Sequence, residues 1–273
     1  MSHSKTYETP YSAHEKRLIW STTRSVLETD QFKHKRHGKK SKSNWNYFKR
    51  ILNFLLWGTR ITGLYKIGYA NVQNIQINKH ELYFDNLPTN FQGFKILHLS
   101  DLHIDATPEL LHSIMHVVDQ AEFDLAVLTG DYRQDSSGAF TQVIEPMKQL
   151  SNLLQKEFTP LAVLGNHDTY LMTEYEKELQ MRFLINETVE LERDGQFITI
   201  SGSDDPFSYY TDAVLQSFTN KPGFKIALVH TSELADVASE NHYQLYLCGH
   251  THGGQVCLPG GLGEITIFEL KKK

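Results

Sequence analysis

The sequence predicts a layered α/β domain that spans residues 75–273. Three observations lead to this fold class. Short apolar runs typical of buried strands recur along the chain, and stretches with apolar residues at helical spacing separate them. After residue 188 the rhythm changes to paired strands joined by a tight turn, which adds an antiparallel portion to an alternating strand–helix pattern.

Each element follows from its local pattern. Residues 75–84 alternate between apolar and polar, as a half-exposed strand does, whereas later apolar runs predict buried strands. Helices are expected at 108–120, 140–157 and 211–218, and the run "TVELE-RDG-QFITISG" at 188–202 predicts a hairpin. The buried strands are "FKILHLS" (94–100), "DLAVLTG" (124–130), "PLAVLG" (160–165), "FKIALVH" (224–230) and "YQLYLCG" (243–249), with a last strand "EITIF" at 264–268.

Charge is distributed unevenly along the chain. The first fifty residues contain twelve Lys and Arg against four acidic residues, a balance of +8, so the remainder of this −5 chain carries −13. We predict that residues 1–46 form a basic, disordered arm that meets an anionic surface, either a membrane or a nucleic acid. Aromatic residues that could stack on bases lie only at the end of the arm, so nucleic acid is the less favoured partner.

Residues 47–72 predict an amphipathic segment at a membrane interface. The longest uncharged run, residues 51–59, is far shorter than the ~20 residues of a spanning helix. With its basic flank, the region 33–67 would therefore bind an anionic membrane surface, although a helix packed on the protein's own domain is the alternative. The first forty residues lack the apolar core of a secretory signal, and two cysteines, Cys248 and Cys257, indicate no disulfide framework. We therefore expect a cytoplasmic protein, peripheral at the inner membrane.

Polar side chains that can bind metals follow the predicted strands at their carboxyl ends. In open α/β sheets these ends form the ligand crevice. Each motif alone is weak, because Asp-x-His and a single His after a strand are common in proteins without a site. The ordered set is specific: Asp101 and His103, then Asp131, then Asn166, His167 and Asp168, then His230, and finally His250 and His252.

This set resembles that of the calcineurin-like metallophosphoesterases, over residues from about 94 to 258. It is most similar to a bacterial branch that includes membrane-associated phosphodiesterases and enzymes like UDP-2,3-diacylglucosamine pyrophosphatases. The resemblance implies a two-sheet β-sandwich flanked by helices, with two metal ions at the carboxyl ends of the strands. The motifs that carry it are "LSDLH" (99–103), "TGD" (129–131), "GNHD" (165–168), "GSDDP" (202–206) and "GHTHGGQ" (249–255).

The resemblance also implies a role for each residue. Asp101, His103 and His252 would hold one metal, Asn166, His230 and His250 the other, and Asp131 would bridge them. Such oxygen and nitrogen donors suit Mn²⁺ best, with Fe or Zn²⁺ as alternatives.

A hydroxide between the two metals would attack phosphorus. His167 would face the phosphoryl group, and Asp168 would orient its imidazole. Arg133 is a candidate substrate-phosphate ligand, with a solvent-facing loop arginine as the alternative.

The expected function is hydrolysis of a phosphodiester or pyrophosphate bond, on a phosphorylated and lipid-linked substrate such as UDP-2,3-diacylglucosamine. A generic phosphodiesterase or nuclease-like hydrolase is the alternative, and a non-catalytic scaffold with the same fold is a weaker one, because all seven ligand positions are filled. The chain stops soon after the last motif, so a truncated end and an uncovered sheet edge are also expected.

Overall fold

The computed structural model describes residues 11–37, 45–107, 109–252 and 264–273. The "GGQ" part of the last motif, Cys257 and the segments 1–10 and 38–44 of the basic arm lie outside these ranges. The helices are α1 (Ala13–His37), α2 (Trp45–Ile61), α3 (Leu64–Gln73), α4 (Leu110–Asp119), α5 (Ile144–Leu154), α6 (Glu176–Leu179), α7 (Pro206–Tyr209) and α8 (Ala235–Glu240). Short 3₁₀ turns cover Thr89–Phe91, Thr141–Val143, Tyr170–Tyr175 and Asp212–Ser217.

The described strands form two sheets, and helices flank both, so the predicted layered α/β sandwich is confirmed. The first sheet has the order β1-β10-β2-β3-β4-β5 and the second β6-β7-β8-β9. The strands are β1 (Gln76–Phe84), β2 (Phe94–Leu99), β3 (Leu125–Leu128), β4 (Leu161–Ala162), β5 (Arg182–Phe183), β6 (Glu187–Arg193), β7 (Gln196–Gly202), β8 (Phe224–Leu228), β9 (Leu245–Leu247) and β10 (Glu264–Lys272).

Parallel pairing brings the ends of the central strands together. In the first sheet β2, β3, β4 and β5 run parallel, and in the second β7, β8 and β9 do. The predicted hairpin is the antiparallel pair β6–β7, whose register begins at Arg193 opposite Gln196. The loops that follow β2, β3, β4, β8 and β9 therefore gather at one end of the sandwich.

The core has a layer on each side of each sheet. Strand β2 is buried on both faces: Ile96 packs between the two sheets, whereas Leu97 and Leu99 pack against the helical layer of α4 and α5. This two-sided burial explains why β2 reads as a continuous apolar run instead of an alternating one. A third apolar cluster covers the outer face of the second sheet beneath α8.

Strand β10 lies inside the first sheet and not at an edge. It pairs in parallel with β1, Gln76 opposite Glu264, and antiparallel with β2, Thr266 opposite His98. The expectation that this end of the chain leaves an edge uncovered is therefore wrong for the described strand, because both of its sides are hydrogen-bonded. The outer strands of that sheet are β1 and β5.

Helix α1 replaces most of the predicted disordered arm within the described residues. A capping box starts it: the Glu15 amide donates to Ser12 Oγ (3.3 Å), and the Ser12 amide donates to the Glu15 carboxylate (2.7 Å). One face of the helix packs on the domain, where Trp20 and Arg24 are buried. Net charge alone suggested disorder, but these buried contacts offset the entropy of ordering the segment.

Helices α2 and α3 carry the predicted amphipathic segment. Their apolar side chains are largely solvent-exposed, with Phe54 68% and Trp57 57% exposed. Helix α3 contacts the domain at α4, where the Tyr69 hydroxyl donates to Glu109 Oε2 (2.6 Å). Among the described residues, every helix is too short or too polar to cross a bilayer.

Candidate metal centre

The loops after five strands bring the predicted ligand side chains together. Among the residues that the structure describes, two groups of potential ligands form, each with ligand atoms within 4.8 Å of one another. The first group is Asp101, His103 and His252, and the second is Asp131, His230 and His250. This division matches the two metals assigned from the sequence, although metal ligation by each residue stays a prediction.

Asp131, a member of the second group, also faces the first group. Its Oδ2 atom is 3.4 Å from His230 Nε2 and 4.0 Å from His103 Nε2. One carboxylate oxygen therefore faces a histidine of each group, as a bridging ligand must. Asn166, the neutral oxygen donor of the set, belongs to the second group, because its Oδ1 atom is 3.0 Å from His230 Nε2.

Backbone carbonyls orient two of the histidines. His103 Nδ1 donates to the carbonyl of Arg133 (2.8 Å), and His230 Nδ1 donates to the carbonyl of Thr129 (2.7 Å). Each ring is thereby held with its Nε2 atom directed into the site, which is the usual outer support of a metal-binding imidazole. The donor set is hard and mixed, and it suits two divalent ions such as Mn²⁺, Fe²⁺ or Zn²⁺.

Two glycines allow the loops to approach closely. A Cβ on Gly249 would lie 1.7 Å from Ser100 Oγ and 2.2 Å from Asp101 Oδ2. A Cβ on Gly165 would lie 2.2 Å from Asp131 Oδ1. The glycines of "GHTH" and "GNHD" therefore make room for neighbouring ligand side chains, and φ is not positive at either one.

Asp131 and His230 each shift the pKa of the other. Burial alone would raise the pKa of Asp131, but the hydrogen bond and charge of His230 outweigh it and hold that pKa below its usual value. Burial likewise opposes the charge on His230, yet the hydrogen bond and charge of Asp131 raise its pKa to about 9. Without a metal, the pair is therefore an ion pair at neutral pH.

His167 lies at the open side of the site. Its Nε2 atom is 4.0 Å from Asp131 Oδ2, and its Nδ1 donates to the carbonyl of Gln134 (2.6 Å). The ring is thus oriented by Gln134, and not by Asp168 as the sequence analysis expected. This position beside the metal group, with a free Nε2, fits a residue that contacts a phosphoryl oxygen.

Asp168 supports the backbone of the site. Its carboxylate accepts hydrogen bonds from the amides of Asp131 (2.7 Å), Tyr132 (2.9 Å) and Gly165 (2.7 Å). Burial, followed by the nearby charge of Asp131, raises the pKa of Asp168 to about 6, against the opposing effect of these amides. The predicted contact with the His167 imidazole is replaced by a clamp between two loops, because the buried carboxylate needs several donors.

Arg133 is buried and is not the solvent-facing loop arginine of the alternative prediction. It is only 4% exposed, its Nε donates to the carbonyl of His167 (2.5 Å), and its Nη1 donates to the carbonyl of Gly138 (3.2 Å). The guanidinium therefore supports the loop that carries His167 and is not solvent-facing. Its contact with a substrate phosphate stays a prediction.

Three side chains of α1 reach this region and were missed by the sequence analysis. Trp20 Nε1 donates to Asp204 Oδ2 (2.6 Å), and the guanidinium of Arg24 pairs with the same carboxylate. Glu28 accepts from the hydroxyl of Thr169 (2.8 Å). The spacing of residues 17, 20, 24 and 28 on one helical face was the available signal, and the high net charge of the arm obscured it.

Other acidic and histidine side chains of the domain lie outside the two ligand groups. Asp205 caps α7 by accepting from the amides of Phe207 and Ser208, in agreement with turn chemistry for the second aspartate of "GSDDP". His98 lies 2.8 Å from Thr129 Oγ1, and burial lowers its pKa to about 4. His112 and His116 are exposed on α4.

Comparisons with known proteins agree with this geometry. A family model described as calcineurin-like phosphoesterase matches residues 94–254, more than half of the chain. The chain is 29% identical to the uncharacterised metallophosphoesterase YkoQ of Bacillus subtilis, over 72% of this chain and 74% of that protein. It is 30% identical to YkuE of the same organism, over 70% and 69%. It is 26% identical to the phosphodiesterase YaeI of Escherichia coli, over 67% and 69%.

Proposed function

The chain belongs to the calcineurin-like phosphoesterase family, and from that membership we propose that it hydrolyses a phosphodiester or pyrophosphate bond with two divalent metal ions. The observation that carries the proposal is the position of Asp131 Oδ2 between a histidine of each ligand group. When bound, two such ions supply an acidified water nucleophile and neutralise the charge of the phosphoryl group.

The protein's own residues have distinct tasks in this proposal. Asp101, His103 and His252 would hold one ion, Asn166, His230 and His250 would hold the other, and Asp131 would contact both. In its protonated form His167 donates from both ring nitrogens, from Nδ1 to the Gln134 carbonyl and from Nε2 to a phosphoryl or leaving oxygen. A non-catalytic scaffold would not need this complete and oriented set.

We propose Mn²⁺ as the preferred metal and a lipid-linked nucleotide, such as UDP-2,3-diacylglucosamine, as the substrate. Support for a lipid-linked substrate comes from the exposed apolar helices α2 and α3 on the same chain as the site. A generic phosphodiester is the second candidate, since one similar protein is named a phosphodiesterase.

A membrane surface is the partner proposed for α2 and α3. Residues 31–80 contain eleven Lys and Arg and no Asp or Glu, so this part of the chain complements anionic lipid headgroups. Phe54 and Trp57 stack at 5.7 Å between ring centroids on the exposed face of α2. An apolar face beside uncompensated positive charge is typical of helices that lie in the interface, and it supports a peripheral location at the inner membrane's cytoplasmic face.

Turnover of a chromogenic diester tests the catalytic proposal. We expect the purified protein to hydrolyse bis(p-nitrophenyl) phosphate when Mn²⁺ is added, and UDP-2,3-diacylglucosamine faster. Asp131→Asn should reduce kcat by at least about 10³-fold and His167→Ala by about 10²- to 10⁴-fold. His112→Ala, which removes an exposed histidine outside the site, is the control. Activity of Asp131→Asn at the wild-type level would refute the proposal, and equal turnover of both substrates would favour the generic phosphodiesterase.

Vesicle flotation tests the membrane proposal with the full-length chain. We expect binding to vesicles that contain phosphatidylglycerol, weaker binding to pure phosphatidylcholine, and loss of binding in a Phe54→Ser/Trp57→Ser variant. Phe197→Ser is the matched control, because Phe197 is 50% exposed on β7, outside α2 and α3. Wild-type flotation by the double variant, or binding to a DNA duplex but not to vesicles, would contradict the proposal.

A further inference from the structure

We propose that Arg24 and Glu28 of α1 are positioning residues for the metal centre. They hold residues 165–169, the turn that carries Asn166 and His167. The inference rests on the proposed function, because this turn carries Asn166, a proposed metal ligand, and His167, the proposed contact to the phosphoryl group. Helix α1 lies outside residues 94–254, the part of the chain that the family model matches.

Arg24 contacts both ends of the turn. Its Nη2 atom donates to the carbonyl of Gly165 (3.2 Å) and to the carbonyl of Asp168 (3.1 Å). Its Nη1 atom pairs with Asp204, and its Cζ atom lies 3.3 Å from the centroid of the Tyr209 ring. The residue is only 1% exposed, so the guanidinium is fixed from several sides and spans the turn as a rigid brace.

Glu28 extends the same brace by one helical turn. Its Oε1 atom accepts from Arg24 Nε (3.0 Å) and from the amide of Tyr170 (2.9 Å). Its Oε2 atom accepts from the hydroxyl of Thr169 (2.8 Å). Arg24 and Glu28, which together form the brace, are thus hydrogen-bonded to each other and to the turn and the residues directly after it.

Side chains from outside the turn satisfy every carbonyl from residue 165 to residue 168. Arg24 serves the first and last of them, Tyr209 Oη donates to that of Asn166 (3.4 Å), and Arg133 donates to that of His167 (2.5 Å). The opposite face of the turn meets the metal group, where the His167 amide donates to Asp131 Oδ1 (2.8 Å). A displacement of the turn would therefore move Asn166 and His167 away from Asp131 together.

Hydrogen exchange and kinetics of matched variants test this role. Arg24→Lys keeps the charge, but a single ammonium cannot reach both carbonyls, Asp204 and Glu28 at once. Glu28→Ala removes the second half of the brace and is the milder change, because Glu28 is partly exposed. Arg17→Lys is the control on the same helix, since Arg17 contacts Phe183 and Glu176 and not the turn.

We expect both brace variants to exchange the His167 amide at least tenfold faster than wild type by NMR. With bis(p-nitrophenyl) phosphate and Mn²⁺, kcat should fall about 10- to 100-fold while KM changes by less than about twofold. Arg17→Lys should behave as wild type. If Arg24→Lys does not fold, Glu28→Ala decides the matter.

The inference is overturned if a folded brace variant retains both the slow His167 amide and the wild-type kcat. It is also overturned if Arg17→Lys has the same effect as Arg24→Lys, because α1 would then act only through general packing. If the wild-type protein neither binds metal nor hydrolyses the diester, the proposed function fails. The exchange rate of the His167 amide still decides whether the brace positions the turn.

Discussion

At the residue scale, the backbone of the metal centre is held in an uncommon conformation. Five of the seven candidate ligands have positive φ: Asp101 (52°), His103 (38°), Asp131 (58°), His250 (71°) and His252 (50°). Left-handed backbone costs a non-glycine residue about 1 kcal/mol or more, and such residues concentrate at functional sites. The surrounding hydrogen bonds, such as that from the His250 amide to Asp101 Oδ2 (2.9 Å), compensate for this cost.

The candidate ligands could be named from the sequence, whereas their backbone conformations and supporting contacts could not. A motif after a strand identifies a residue such as His230 as a candidate. It contains no information on which distant carbonyl orients the ring. The supporting roles of Asp168 and Arg133 depend on contacts between loops 34 to 37 residues apart, which local pattern does not encode.

Close packing at Gly249 gives the first residue-scale prediction. Gly249→Ala should reduce metal affinity at least about tenfold. The new Cβ would overlap the side chains of Ser100 and Asp101, and it would therefore displace Asp101, a candidate ligand. Gly68→Ala is the control, since no atom lies within 4 Å of its added Cβ on α3. Isothermal titration with Mn²⁺ measures both variants, and wild-type affinity of Gly249→Ala would contradict the prediction.

Burial of His98 gives a second prediction, on stability against pH. The native ring stays neutral down to its lowered pKa of about 4, whereas the unfolded ring takes up a proton near 6.5. Its stabilising effect is therefore complete above pH 6.5 and is lost as pH falls toward 4, by up to about 3 kcal/mol. Urea unfolding should show a steeper loss for wild type than for His98→Gln, and parallel curves would contradict this.

At the element scale, the longer strands and the β6–β7 hairpin followed from local periodicity, but the two-residue strand β5 and the strand order did not. The run at β10 reads as a strand, yet its insertion between β1 and β2 depends on pairing with residues some 170 positions away. The helical state of α1 had usable signals in its capping box and in the spacing of its buried face. The prediction of a disordered arm relied instead on the charge balance, which describes composition and carries no information on contacts.

The interior position of β10 predicts a large effect of core truncation there. Leu270 is fully buried between the sheets, so Leu270→Ala should lower the free energy of unfolding by about 2–5 kcal/mol. Leu215→Ala, at a residue 40% exposed, should cost much less. Urea denaturation compares the two variants, and equal small losses would show that β10 does not contribute to the core.

At the scale of the whole molecule, the metal centre joins the two sheets. Asp101, Asp131 and Asn166 follow strands of the first sheet, whereas His230 and His250 follow strands of the second. Ions that bind only this assembled arrangement stabilise the folded state, by about 2.7 kcal/mol per site at a hundredfold excess over Kd.

Metal addition should therefore raise the Tm by about 5 °C or more, with a pH dependence of known sign. Ligation needs a neutral His230, whose pKa without metal is about 9, so binding releases a proton at neutral pH and tightens as pH rises toward 9. Calorimetric titration in buffers of different ionisation enthalpy measures the released proton. A Tm shift that decreases between pH 6 and pH 8 would contradict the assignment.

The left-handed ligand positions also bear on laboratory evolution of this protein. Glycine at Asp101, His103 or His252 would relax the main chain and remove a ligand in the same step. A library screened for heat resistance alone, in a chelating buffer, should therefore accumulate glycine at these positions and yield robust but inactive survivors.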